Sequence, residues 1–254
     1  MKTVTFETKC WEGDWDCMLN KGALQIKLKD FGGFNFTEKN LIINNVLDQK
    51  TVCKAADILK DNGIIDNWYL VSEYGKEVLE YFEITRDSFL WKEVNGDGYV
   101  YSIAELTGIF LSKCDYIMHL SSDSRISPWL PKTDNSWMYK AIDLMETNPD
   151  VINCIPYWKN TSYDEVRQQS EKLNLSNLED ADWIYSKSFC DQCYFIKKEA
   201  FRKQIYNTYH ENSSCFVYYG GNSFEKRVFS YLNNNPSLMT AVSKHSWYHH
   251  PIYF

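Results

Sequence analysis

The chain has 254 residues, and its 34 acidic residues outnumber 27 basic ones, which gives a net charge of -7. This acidic balance argues against a broad surface for the phosphate backbone of nucleic acids, so no nucleic-acid partner is expected. Hydrophobic residues make up 44% of the sequence and aromatic residues 16%, which can supply the core of one large domain, although two smaller domains also fit the length.

Two further features of composition concern location and redox state. No apolar run approaches the ~20 residues that cross a bilayer, and the first residues lack the apolar segment of a signal peptide. We therefore expect a soluble, cytoplasmic protein without a transmembrane segment and with reduced cysteines. Cys190 and Cys193 form one CxxC pair that could bind zinc with His245, His249 or His250, but a second such pair is missing, and packing in the core is the favoured interpretation.

The opening stretch alternates from Val4 to Thr8, which predicts a strand, and continues into a turn-prone segment with two indoles. A planar indole can stack on a nucleobase without reading its edge. Trp11 and Trp15 can equally well pack in the core. Asp14 or Glu12 can meet a base or a ribose hydroxyl.

Strand and helix patterns then alternate. Leu41 to Val46 predicts an apolar strand with two asparagines, Asn44 and Asn45, near its end. Apolar residues then recur at helical spacing from Thr51 to Leu59, which predicts a helix. Trp68 to Val71 predicts a short strand, and Tyr74 to Phe82 predicts a helix. This rhythm indicates βαβ crossovers, and hence an α/β fold with a mostly parallel central sheet flanked by helices.

A turn signal, Asn95 to Gly98, precedes the next helix. Glycines before a helix let the backbone approach a ligand, and the amino end of a helix favours an anion such as a diphosphate. An ordinary loop is the alternative. Asp97 is a candidate for binding a ribose.

The stretch from Tyr99 to Arg125 contains a predicted helix followed by a predicted strand. Apolar residues recur at helical spacing in its first half, and Tyr116 to Leu120 is an apolar run too short for another helix. The run ends in Ser121 to Arg125, where small and charged residues follow a buried strand. Ligands bind at the carboxyl ends of strands in open α/β sheets, so Asp123 is a candidate for a metal or ligand site.

Three features follow in the second half. Ser136 to Glu146 predicts a helix, and Val151 to Ile155 predicts a strand. Asn160 to Asp182 is polar and lacks periodicity, which is typical of a mobile or acceptor-side insertion.

Two acids are candidates for a general base. Asp191 lies in the strand pattern Ser188 to Ile196, where a buried acid is costly unless it is paired, although a strand-edge position facing water is an equal alternative. Glu225 follows the predicted helix cap at Asn222 or Ser223, where the helix dipole by itself favours an acid. The late histidines His245, His249 and His250 add candidate metal ligands.

Taken in order, these pieces resemble a glycosyltransferase of the GT-A fold, in the broad family 2-like class. The segments that carry the resemblance span nearly the whole chain: TFETKCWEGDW, LIINNV, YSIAELTGIFLSKCDYIMHLSSDSR, CDQCYFIKKEAF, GGNSFEKRV and a late histidine. The resemblance implies a single domain over residues 1–254. Residues 1–125 would form the nucleotide-sugar-binding half, and residues 126–254 the acceptor-binding half.

The resemblance also implies roles for individual residues. The family's Asp-x-Asp motif corresponds to Ser121-Ser122-Asp123, so the first acid is missing and the metal-binding acid, Asp123, is present. A late histidine, His249, would complete the shell of Mn²⁺ or Mg²⁺. The donor-binding residues implied are Thr8, Trp11, Asp14, Asn45, Asp97, Ser121 and Arg125.

The implied reaction moves a sugar from a nucleotide-diphosphate sugar to the hydroxyl of a glycan or another acceptor, with inversion. A metal neutralises the leaving diphosphate, and a carboxylate takes the acceptor's proton. Asp191 is the first choice for this base and Glu225 the second. Two alternatives stay open: a nucleotidyltransferase acting on a sugar phosphate, and a non-enzymatic carbohydrate-binding protein rich in Trp and Tyr.

Overall fold

The computed structural model of the protein describes residues 2–84, 102–126, 136–159, 179–202, 205–215 and 222–249. The strands in these ranges are β1 (Val4–Cys10), β2 (Glu38–Ile43), β3 (Asn67–Leu70), β4 (Tyr116–Leu120), β5 (Arg125–Ile126), β6 (Val151–Trp158), β7 (Trp183–Ser186), β8 (Cys193–Lys197) and β9 (Met239–His249). The α-helices are α1 (Trp15–Leu19), α2 (Ala23–Asp30), α3 (Gln49–Asp61), α4 (Val71–Tyr81), α5 (Ser102–Leu111), α6 (Ser136–Thr147), α7 (Lys198–Phe201) and α8 (Asn222–Asn234), and Glu211–Cys215 is a 3-10 helix.

The strands form one sheet in the order β3-β2-β1-β4-β8-β6-β9-β5, and β7 pairs with β9. The pairs β3–β2, β2–β1 and β1–β4 are parallel, as expected for βαβ crossovers. Beyond β4 the sheet is mixed: β8 is antiparallel to both β4 and β6, while β6 and β9 are parallel. The predicted helix-flanked α/β sheet is therefore present, with an all-parallel block of four strands, β3-β2-β1-β4, in the first half of the chain.

Helices cover both faces of the sheet, and the alternation of strand side chains decides which face each residue meets. On β4, Tyr116 and Met118 pack in a core with α1, α2, α3 and α6. Ile117 lies on the opposite face, in a core with α4, α5 and α8. A strand buried on both faces reads as a continuous apolar run, which is why the pattern of β4 was recognisable in the sequence.

The sequence locates α3 well because its signals are local. Its inward residues recur every three or four positions and are Val52, Ala55, Ala56 and Leu59. Asp48 caps the amino end by accepting a 3.1 Å hydrogen bond from the main-chain nitrogen of Thr51.

The strand predicted from Ser188 to Ile196 is shorter in the structure and needs correction. It begins at Cys193, so Asp191 lies in the bend that precedes β8 and not within the strand. The physical reason is that the main-chain nitrogen of Asp191 donates to the carboxylate of Glu225 instead of to a neighbouring strand.

The remaining sequence predictions concern the histidine-bearing tail and three segments that lie outside the described residues. The histidine-bearing tail is not a separate cluster, because His245 and His249 belong to the long strand β9. Most of the predicted insertion (160–178), the turn with Asp97, and His250 lie outside the described residues.

Within the described ranges, every helix is too short or too polar to span a membrane. The cytoplasmic location stays a prediction.

Candidate active site

The loop after β4 presents Asp123 at the carboxyl edge of the sheet. Its first residue, Ser121, is buried, and the Ser121 hydroxyl donates to Asp123 Oδ1 at 2.5 Å and lies 2.9 Å from the Ser124 hydroxyl. The Asp123 residue itself is exposed. The Ser121 hydroxyl therefore orients the Asp123 carboxylate.

The same loop is bonded to the segment that carries Asp191. The main-chain nitrogen of Ser121 donates to the carbonyl oxygen of Gln192 at 2.8 Å. Since Gln192 directly follows Asp191, this hydrogen bond links the two loops that carry Asp123 and Asp191.

His249 comes to this edge through strand pairing. In the antiparallel pair of β5 and β9, Arg125 is the partner of His249. His249 thus lies beside Arg125, the residue two positions after the predicted metal ligand Asp123, although 126 positions separate Asp123 and His249 along the chain.

Arg125 is held by an acid that the sequence pattern did not single out. Its Nε and one Nη donate to the two carboxylate oxygens of Asp30 at 2.7 and 2.6 Å, a bidentate arrangement that fixes the guanidinium plane. The Arg125 side chain keeps 23% exposure, whereas that of Asp30 keeps 6%. Arg125 therefore reaches the site in a defined orientation.

A second cation missed in the sequence lies under the loop. Lys27 is 2% exposed, and its ammonium donates to the carbonyl oxygens of Ser121, at 3.1 Å, and of Ser124. Burial lowers the pKa of Lys27 to about 8, although the charge of Asp123 opposes that shift. The sequence offers one indication of this buried cation, namely that Lys27 occupies an inward position of the short helix α2.

Asp14 joins Asp123 and Arg125 at one cavity of about 220 Å³, which Met18 and Lys27 also line. Asp14 is buried; it accepts a 2.8 Å hydrogen bond from the main-chain nitrogen of Trp11 and a further one from the Ser122 hydroxyl. Burial raises the pKa of Asp14. Asp14 and Arg125, predicted to bind the sugar donor, and Asp123, predicted to bind the metal, therefore line one cavity.

The remaining donor-binding predictions lie in different surroundings. Trp11 is 37% exposed, as a stacking platform requires, whereas Thr8 is fully buried, and its hydroxyl donates to the carbonyl oxygen of Leu120 at 2.7 Å. Asn45 is exposed, has a positive φ of 48°, and lines another cavity, of about 290 Å³, with Val71 after β3. Asp97 lies outside the described residues.

The two candidate bases, Asp191 and Glu225, lie side by side. One ligand atom from each, together with the sulfur of Cys190, falls within a 4.8 Å group. Burial raises the pKa of Asp191 to about 7, with the positive charge of Lys9 opposing the shift. Burial, together with the charge of Asp191, raises the pKa of Glu225 well above its ordinary range.

Lys9 and Glu105 form an ion pair next to these acids that sequence reasoning missed. Glu105, on α5, is fully buried, and the Lys9 ammonium contacts its carboxylate. Burial lowers the pKa of Lys9, but the charges of Glu105, Asp191 and Asp123 outweigh this effect and raise it above its ordinary value. Lys9 is thus a positive charge that acts on both Asp123 and Asp191.

A row of buried polar side chains crosses the sheet below this edge. Glu7, His119 and Tyr194 occupy facing positions on β1, β4 and β8. Glu7 Oε1 lies 3.0 Å from His119 Nδ1, and the His119 ring stacks on Tyr194 at 4.6 Å. Burial raises the pKa of Glu7 and lowers that of His119, which disfavours the charged form of each side chain. The sequence did not indicate this row, because His119 lies within the otherwise apolar run of β4.

Comparisons with known proteins concern the fold. Neither the models of protein families nor the curated proteins contain a match to this chain. Among solved structures, GalNAc-T7 with UDP, GalNAc and Mn²⁺ matches with a TM-score of 0.56 and 11% identity, covering 98% of this chain and 44% of that one. The apo form of mouse xyloside xylosyltransferase 1 matches with a TM-score of 0.50 and 12% identity, covering 94% of this chain and 84% of that one.

This chain therefore spans less than half of GalNAc-T7 and most of the xylosyltransferase structure. At such low identity the likeness concerns the path of the backbone alone. The chain has the fold of the GT-A glycosyltransferases.

Proposed function

We propose that this protein transfers a hexose or pentose from a nucleotide-diphosphate sugar to an acceptor hydroxyl, with inversion and with a divalent cation. The observation that carries the proposal is the 2.8 Å hydrogen bond from Ser121 to Gln192. It joins the loop of Asp123 to the bend of Asp191, so a cation-binding acid and a general base meet at one edge of a GT-A fold.

The donor's cation fits the residues at this edge. Asp123 offers an exposed carboxylate, the kind of ligand that both Mn²⁺ and Mg²⁺ prefer, and we assign His249, which pairs with Arg125, as a second ligand. Such an ion, when bound, neutralises the charge of the leaving diphosphate. The presence of UDP and Mn²⁺ in GalNAc-T7 supports this assignment.

The donor's nucleotide would use the surrounding loops in residues 1–125. Trp11 offers an exposed ring for stacking on the base, and Asn45, Asp14 and Asp97 offer polar groups to the nucleoside. Arg125, oriented by its bidentate pair, faces the diphosphate, and residues 126–254 receive the acceptor.

Asp191 is the base in this proposal. With a pKa of about 7 it is substantially ionised near neutral pH, whereas burial and the nearby charge of Asp191 raise the pKa of Glu225 and disfavour its charged form. The acceptor oxygen bonds to the anomeric carbon of the sugar while the bond from that carbon to the diphosphate oxygen breaks. The acceptor's proton moves to the Asp191 carboxylate.

Calorimetry with a panel of nucleoside diphosphates, with and without Mn²⁺, tests the proposal. We expect at least one diphosphate to bind in a Mn²⁺-dependent way, and Asp123→Ala to abolish that dependence. Asp61→Ala is the matched control, because Asp61 is an exposed aspartate at the end of α3, on the opposite edge of the sheet.

Failure of every nucleotide to bind, or equal binding by Asp123→Ala, would contradict the proposal. Product analysis separates the alternatives, since a nucleotidyltransferase releases pyrophosphate and a glycosyltransferase releases a nucleoside diphosphate. A carbohydrate-binding module rich in Trp and Tyr would more naturally be an all-β chain, and the α/β architecture does not support that alternative.

A further inference from the structure

Three side chains that can ligate a metal converge beside β8. Cys190 and Asp191 lie in the bend before the strand, and Glu225 lies in the first turn of α8. The Cys190 sulfur and one carboxylate oxygen from each acid are within 4.8 Å of one another. The segment before β8 and the start of α8, which are distant in sequence, therefore bring three ligand atoms close together.

The kinds of ligand at this point differ from those at Asp123. A thiolate with two carboxylates suits Zn²⁺, which takes sulfur and oxygen ligands in a tetrahedron, with neighbouring ligand atoms about 3.5 Å apart. The three ligand atoms lie within 4.8 Å of one another, so their separations exceed that spacing by about 1.3 Å at most. Three protein ligands leave the fourth position open.

Neighbouring groups hold these ligands in place, as the outer shell of a metal site does. The Tyr248 hydroxyl lies 2.9 Å from the Cys190 sulfur. The main-chain nitrogen of Asp191 donates to the Glu225 carboxylate. These contacts tie the segment of Cys190 and Asp191 to two other parts of the fold, the strand β9 through Tyr248 and the helix α8 through Glu225.

The electrostatic surroundings also favour a cation. All three ligand residues are partly buried, where negative charges are poorly solvated. The charge of Lys9 acts on Asp191, but the Lys9 ammonium contacts Glu105. A divalent ion would balance the negative charge that the three ligand groups carry once they are deprotonated.

We propose that Cys190, Asp191 and Glu225 form a binding site for a thiophilic divalent cation such as Zn²⁺, separate from the hard-cation site at Asp123. Binding there needs no transferase activity. A consequence that does rest on the proposed function is inhibition, because an ion coordinated by Asp191 occupies the lone pair that the acceptor's proton requires.

Binding of Co²⁺ to the full-length chain tests the site, since a thiolate bound to Co²⁺ gives a charge-transfer absorption that carboxylates do not. We expect one Co²⁺ per chain with this absorption, and its loss when Zn²⁺ is added. Cys190→Ser should abolish the absorption, whereas Cys53→Ser, which removes a partly exposed thiol on α3, should keep it.

Glu225→Gln provides a second variant that retains the thiol. We expect it to keep some absorption but to weaken Co²⁺ affinity at least about tenfold. Absence of the charge-transfer absorption in the unaltered chain would overturn the proposal, as would its persistence in Cys190→Ser. If Cys190→Ser does not fold, unchanged affinity in Glu225→Gln is the overturning result.

Inhibition is measured separately, as the ratio of rates with and without Zn²⁺ at saturating Mn²⁺. Loss of Mn²⁺-dependent nucleotide binding with an intact Co²⁺ absorption would defeat the glycosyltransferase proposal and leave this site standing. Intact Mn²⁺-dependent nucleotide binding without the Co²⁺ absorption would overturn the proposed thiophilic site and leave the glycosyltransferase proposal standing.

Discussion

The ammonium of Lys9 contacts the carboxylate of Glu105, a side chain with no exposed surface on the inner side of α5. This ion pair joins the end of β1 to the helix that covers it. Its charge also reaches Asp191, so one contact bears on both the stability of the fold and the chemistry of the candidate site.

Removing Lys9 should destabilise the protein. Lys9→Met leaves Glu105 buried without its partner, and such a loss costs about 3–5 kcal/mol of the free energy of unfolding. Urea denaturation measures this cost. Lys9→Met combined with Glu105→Leu should recover most of it, because the buried charge is then gone; equal or additive losses in the double variant would contradict the interpretation.

Lys9 should also set the pH dependence of transfer. Asp191 must be ionised to accept a proton, so kcat/KM should rise with pH through the pKa of Asp191, about 7. Lys9→Met removes a positive charge that lowers this pKa, so the acid limb should move to higher pH, while Lys9→Arg should keep it. Profiles recorded well below the unfolding temperature check this, and an unmoved limb in Lys9→Met would count against Asp191 as the base.

Asp191→Asn should separate stability from activity. The folded pKa of Asp191 is raised to about 7 from an ordinary value near 4, so the unfolded chain loses this proton first as pH rises. Ionisation of Asp191 therefore costs stability progressively between these two values, and the cost persists at higher pH.

The asparagine variant avoids that cost. We expect Asp191→Asn to unfold at a higher temperature at pH 8 than the unaltered chain, with little difference at pH 4, while transfer falls by about 100-fold or more. Calorimetric scans at both pH values and a rate assay measure the two effects. A lower unfolding temperature at pH 8 would show that Asp191 stabilises the fold.

Gly108 should not tolerate a side chain. A Cβ atom there would lie 1.7 Å from Glu7 Oε2, so α5 passes directly over the buried carboxyl. Alanine favours a helix over glycine by about 1 kcal/mol, but we expect Gly108→Ala to lower the free energy of unfolding because overpacking costs about 1–3 kcal/mol.

A double-mutant cycle checks this contact. With Glu7→Ala already present, Gly108→Ala should become neutral or stabilising, and the two substitutions should couple by more than about 0.5 kcal/mol. Additive effects would mean that the two residues do not clash.

Local patterns determined much of this fold. The apolar run from Tyr116 to Leu120 marks β4 at the bounds that the structure has, and helical spacing marks α3 and α5 to within a few residues. These signals are reliable because a side chain's burial depends first on the period of its own element. The order of the pieces was also sufficient to predict the GT-A fold.

The contacts of the candidate site were decided only by tertiary structure. Strand order brings His249 beside Arg125 and aligns Glu7, His119 and Tyr194, and no local pattern encodes which strands become neighbours. Buried partners such as Glu105, Lys27 and Asp30 look like ordinary helix residues in the sequence.

The sequence by itself therefore determined that an acid, Asp123, follows a buried central strand in an α/β sheet. Tertiary structure decided what lies around that acid: a serine that orients it, a hydrogen bond from its loop to the bend of Asp191, and the pairing of Arg125, two residues further on, with His249 of the last strand. The physical reason is the sequence separation over which each kind of interaction acts. Periodicity reflects burial within a few residues, whereas electrostatics and hydrogen bonding at a sheet edge depend on segments that folding brings together from across the chain.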